Sequence, residues 1–208
     1  MTTMTKASPA AGRLRTAWRA AHTPVAGVPR WTLIAAYAIP FTVLPSGLWR
    51  IAGVTFHLPL NAPGFPPRPR SARLPSWLPE EIYVILMSVA SELLAFAAIG
   101  LVAAWGEVFP RWIVGLRGRR VPPLAAVVPA TIGAVVLTGL WTFTMVSTWL
   151  GRTLQGDALP PDFPLNFRNW QGVLAIAAYV PLLAWGPLLA LVTVAYHHRR
   201  TRVGGAPA

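Results

Sequence analysis

The chain contains no cysteine. That absence excludes disulfides, thiol redox catalysis, thiolate zinc sites and cysteine-held iron–sulfur clusters. Charge is also scarce. Only 12% of the 208 residues are Asp, Glu, Lys or Arg, with six acids in all and Lys6 as the single lysine. Soluble domains usually carry about 25% charged residues, so too little polar side chain is present to clothe a water-soluble fold. Histidine is limited to His22, His57, His197 and His198, and none lies inside an apolar run. Axial haem ligation needs a histidine within the spans, and adjacent His197 and His198 point to different faces, so no metal or haem is expected. No hydrolase elbow, phosphate loop, zinc-protease helix or dinucleotide fingerprint occurs. No catalytic residue and no cofactor are assigned.

What the chain has in abundance is apolar length. Hydrophobic residues make up 54% and the mean hydropathy is +0.51. Four apolar runs, 31–53, 82–104, 124–150 and 170–196, each exceed the roughly 20 residues that cross a hydrocarbon core of about 30 Å at 1.5 Å per residue. The expected fold is all-α, a single transmembrane bundle of four helices over 31–198. A disordered basic tail is expected at 1–30, without the apolar segment of a secretory signal, and a short basic tail at 199–208. Proline is plentiful, at 22 residues. Pro40 and the Pro45-Ser46-Gly47 cluster predict a kinked or broken first helix, and Pro181 with Gly186-Pro187 predicts the same of the fourth. The loop 54–79, with its PPRPR run, reads as stiff extended chain.

The net charge of +12 would point to nucleic acid in a soluble protein. Here the basic residues flank the apolar runs, where they set membrane orientation instead. Twelve fall with the two tails and the middle loop, and six (Arg50, Arg68, Arg70, Arg73, Arg152, Arg168) fall on the opposite side. Both termini are therefore expected in the cytoplasm of a cell whose plasma membrane, a bacterial inner membrane, holds the protein. The cytoplasmic face should attract anionic lipid headgroups, and no nucleic-acid partner is expected.

Two features stand out as candidate sites. Glu92 falls near the middle of the second apolar run, where a charged side chain costs about 2.5–3.5 kcal/mol and requires a partner or a proton. Ser88 shares its helix face, one turn away, and Arg50 is the one basic candidate to pair with it. The structural alternative is a Glu92 held neutral, or hydrogen-bonded to Thr and Ser hydroxyls of the third helix, purely for packing. The second feature is a stripe of small residues at every fourth position of the third run: Ala126, Ala130, Ala134, Thr138 and Thr142. Such stripes let helix backbones approach closely in lipid. The Ala-Trp-Gly triplet occurs twice, at 104–106 and 184–186, a weak sign of an internal repeat. Gly115-x-x-Gly118 beside arginines reads as a tight turn.

The stretch 105–123, WGEVFPRWIVGLRGRRVPP, resembles uncharacterised four-span integral membrane proteins of high-GC actinobacteria, through its Trp-Gly opening and its Pro-Arg-Trp and Gly-Arg-Arg-Val-Pro elements. The resemblance implies architecture and location and assigns no catalytic residue. The functional expectation is a non-enzymatic membrane component that forms a homo-oligomer or binds a membrane protein partner through the small-residue stripe. A small-solute or ion transporter subunit, proton-coupled through Glu92, is the alternative, followed by an enzyme acting on lipid or quinone.

Overall fold

The computed structural model describes residues 23–60, 77–108, 118–159, 163, 165 and 167–204. The N-terminal tail up to 22, the PPRPR run at 66–70, Arg111, Gly115 and Arg117 of the middle loop, and 205–208 lie outside the described residues. Every element described is helical, and the only strand-like features among these residues are isolated bridges. Four helical stretches are long and apolar enough to cross a membrane: Arg30–Thr55, Glu80–Leu101, Pro123–Trp149 and Trp170–Arg202.

The first span comprises α1 (Arg30–Arg50), which passes into a π-helical turn at Ile51–Thr55. Pro40 and Pro45 lie inside α1 without breaking it. Each removes one backbone donor, and nearby hydroxyls turn inward, with Thr42 donating to the Ile39 carbonyl (2.7 Å) and Ser46 to that of Val43 (2.8 Å). The second span is α2 (Glu80–Ala97), opened by Glu80 and Glu81 in the first turn, where acids suit the positive end of the helix dipole. It tightens to a 3-10 turn at Ala98–Leu101 and ends there, three residues short of the expected boundary. The reason is local: Trp105 folds back over Gly100, where a Cβ would lie 2.8 Å from the indole, and Gly106 packs against the Gly100 carbonyl.

The third span, α3 (Pro123–Trp149), starts with proline at its first position, where a missing N–H costs nothing. In the fourth span, α4 (Trp170–Tyr179) is capped by Asn169, whose side chain accepts from the Gly172 amide at 2.7 Å. A turn at 180–181 separates it from α5 (Leu182–Gly204). The helix α5 continues well past 198, so Arg199 and Arg200 belong to it and not to a tail. The two Ala-Trp-Gly triplets occupy unlike places: 104–106 forms a 3-10 turn beyond the second span, and 184–186 lies within α5.

Packing centres on α1, which contacts α2, α4 and α5, while α3 packs chiefly on α5. The core between them includes Ala36, Ile39, Val43, Ala95, Ile99, Val102, Trp185, Val192 and Tyr196. Tyr179 joins three spans, meeting Trp49 edge-on at 5.5 Å and Trp141 at 6.3 Å between ring centroids. The third span is the peripheral one, with only 6% of its most apolar window buried. Large apolar side chains such as Leu93, Leu94, Ile132 and Val135 cover the outside, as suits a surface whose solvent is hydrocarbon.

The two ends of the bundle differ. At one end the chain entering α1 pairs with the chain leaving the second span: the Val25 amide donates to Val102 (3.1 Å) and that of Ala104 to Thr23 (3.2 Å). The end of α5 reaches the same region, because Arg199 donates to the Leu101 carbonyl (3.3 Å). Residues 23–25, which lead into α1, and the end of α5 therefore lie on one side. Arg50, the π-helical turn and residues 150–159 belong to the other.

Candidate functional site

The buried stripe of α2 runs through Val84, Ser88 and Ala95 and continues to Ile99. Glu92 falls on this line and is half-buried. The stripe meets α1 where Gly47 leaves room, a Cβ there being 3.7 Å from the Ser88 Cβ. Arg50, three residues further along α1, extends its Nε to donate to the Ser88 hydroxyl at 3.4 Å. Two of the three sequence-predicted polar residues are thus joined directly. Glu92 is one turn further into the span, about 6 Å along the axis at 1.5 Å per residue. Helical side chains lean toward the N-terminus, which tips the Glu92 carboxyl toward the turn holding Ser88. Among the described residues Glu92 makes neither an ion pair nor a hydrogen bond. The alternative of hydroxyl partners on the third helix does not materialise there.

The small-residue stripe of α3 divides along its length. Ala134 is buried, and Gly186 of α5 rests on the α3 backbone at Ala134 and Thr138, so close that any Cβ would collide with Thr138. This part of the stripe serves contact within the chain. Ala126 and Ala130 border a groove instead, and Thr142 is exposed.

That groove, of about 500 Å³, lies between the end of the second span, the first half of α3 and α5, within the roughly 300–1,000 Å³ of small-molecule sites. Trp105 and Trp185, the two tryptophans of the Ala-Trp-Gly triplets, both line it, as do Ala130, Gly133 and Leu189. Phe96 stacks on Trp105 at 6.2 Å and 10° between rings. Leu94 and Val136, both more than half exposed, form its outer lip. It therefore opens sideways, toward the surrounding hydrocarbon.

Next to the groove stands a charged cluster that reading the sequence missed. Glu107 accepts from Arg199 at 3.0 Å and lies 3.9 Å from Arg200 through the same carboxylate oxygen. Arg200 also donates to the Val121 carbonyl at 2.8 Å. Both guanidinium groups sit by the ring of Tyr196, at 5.5 and 5.9 Å from its centroid. The cluster is well buried, the side chains of Arg199, Arg200 and Glu107 being 10%, 17% and 24% exposed. Several of its donors find no acceptor among the described residues: Arg199 Nη1, Arg200 Nε and the Tyr196 hydroxyl are buried without a partner there. The signal available in sequence was Glu107 itself, the single acid between 93 and 156.

No group of three or more His, Cys, Asp or Glu side chains gathers as a metal site among the described residues. His57, in the left-handed region at φ 52°, lies at the far end from His197 and His198. No protein-family model, curated protein or solved structure matches this chain.

Proposed function

We propose that the protein is a multi-pass membrane component, not an enzyme, that assembles in the bilayer with a second copy of itself or with another membrane protein. Its polar group Arg50–Ser88–Glu92 would be the element that selects the partner. The observation carrying this reading is Glu92: a carboxyl group in mid-span, half-buried, with no partner among the described residues. A hydrogen-bond donor from a neighbouring helix would remove the cost of leaving it in hydrocarbon. Both termini in the cytoplasm, and residence in a bacterial inner membrane of the actinobacterial kind that 105–123 resembles, belong to the same proposal. The charge bias of the flanking segments supports the orientation.

The test is native mass spectrometry of the wild type and of Glu92→Gln and Glu92→Leu in mild detergent. Assembly through Glu92 predicts a stoichiometric complex for the wild type that Glu92→Gln weakens and Glu92→Leu abolishes. A wild-type monomer, or complexes indifferent to both substitutions, would refute it. The second reading is a proton-coupled subunit of a small-solute or ion transporter. It is favoured by the order Arg50, Ser88, Glu92, which leads from one end of the bundle to its middle. Loss of flux in Glu92→Gln with the complex intact would select it.

A further inference from the structure

The groove and the charged cluster beside it share their boundaries. Leu101 lines the groove and its carbonyl accepts from Arg199; Gly106 lines the groove and precedes Glu107. We infer that together they form a binding site for an anionic phospholipid, with an acyl chain in the groove and the phosphate held at Arg199 and Arg200. This inference is independent of any role for Glu92, since it needs only that the chain spans a membrane.

The groove sets the apolar half. Its walls are small side chains (Ala97, Ala130, Gly133) and two indoles, and its lip faces lipid. A cleft opening sideways between spans is filled by the solvent on that side, and in a bilayer that solvent is acyl chain. The cluster sets the polar half. Two arginines face one carboxylate, which leaves a single positive charge in a site nine-tenths buried at Arg199. Arg199 Nη1 and Arg200 Nε, together with the hydroxyl of Tyr196, which is 2% exposed, lack acceptors among the described residues. Buried donors without acceptors are costly, and a phosphate supplies several oxygens at once. The depth fits as well: the cluster sits just beyond the ends of the second span and of the apolar part of α5, where headgroups lie. Basic pockets between spans take anionic headgroups on this physical basis.

The test is native mass spectrometry of the whole protein after exchange into mixed micelles holding equimolar phosphatidylglycerol and phosphatidylcholine. The wild type should retain one lipid per chain and favour phosphatidylglycerol by about fivefold or more, the factor expected from one arginine near an anionic headgroup. Arg200→Gln should lower that preference by about fivefold, and Ala130→Phe, which fills the groove, should reduce retention of both lipids without changing their ratio. Arg200 is the more exposed arginine, and Ala130→Phe leaves the cluster untouched, so misfolding of one variant does not decide the outcome. Equal retention of the two lipids by the wild type would overturn the inference. So would retention unaffected by Ala130→Phe, or a preference abolished by inorganic phosphate, which would assign the arginines to a free anion.

Discussion

Gly186 of α5 lies directly on the backbone of α3 at Thr138, at a separation no side chain can share. The two helices meet there through main chain, and the packing of the third span depends on that absence. Replacing Gly186 by alanine should therefore destabilise the protein by about 1–3 kcal/mol, the usual cost of overpacking. Gly139, on α3 one residue beyond Thr138 and with open space around it, is the control: Gly139→Ala should be neutral or stabilising by up to about 1 kcal/mol. Unfolding of both variants by sodium dodecyl sulfate in mixed micelles checks this, and equal effects would remove the special role of Gly186.

Glu107→Gln should loosen the end of the bundle where α5 meets the close of the second span. It keeps the shape of the side chain but leaves Arg199 and Arg200 without their carboxylate, a loss of about 2 kcal/mol for hydrogen bonds to charged groups. Limited proteolysis should then cut the region between 102 and 122 faster, while sites in 150–159 cut at the wild-type rate. Uniform acceleration at both ends would mean a general loss of stability, and no acceleration would mean that the contacts of Arg199 and Arg200 with backbone carbonyls suffice.

Trp105→Ala removes both the lid over Gly100 and the stack on Phe96. A fully buried tryptophan loses about 3–5 kcal/mol on truncation; Trp105 is half-buried, and roughly half of that is expected. Thermal unfolding followed by circular dichroism reads it directly.

The position of Glu92 within the second span also has a consequence for insertion. An isolated segment covering Glu80–Leu101 carrying Glu92→Leu should insert through a translocon more favourably by about 3 kcal/mol. Unchanged insertion would put Glu92 near the interface and not in mid-span.

The four spans were legible because hydropathy is a local property, summed over some twenty neighbours in sequence. Their boundaries agree within two residues at most ends, and the discrepancies have local causes. The second span stops at Leu101 because Trp105 and Gly106 fold back, an event no hydropathy average registers. The fourth continues past 198 because Arg199 and Arg200 find acceptors at Leu101, Glu107 and Val121. Those partners are some eighty to a hundred positions away, and charge counting sees such arginines only as flanking charge. Ser88 and Arg50 were legible as members of one polar group because helical spacing puts Ser88 on the face of Glu92 and Arg50 at the end of α1, but Arg50 was expected to pair with Glu92 and instead donates to Ser88. The use of the α3 stripe was not: spacing reveals a face of small residues, but not that Gly186 of the same chain occupies it.

The choice of α5 as the support for both α1 and α3 orders events during synthesis. The ribosome finishes this helix last. Until then the third span has entered the bilayer without the neighbour it rests on, and α1 has only α2 and, briefly, α4 beside it. The bundle is thus completed only by its final segment, and a chain cut short at Pro181 would keep the contacts of α1 with α2 and α4 but leave the third span without the helix it chiefly packs on.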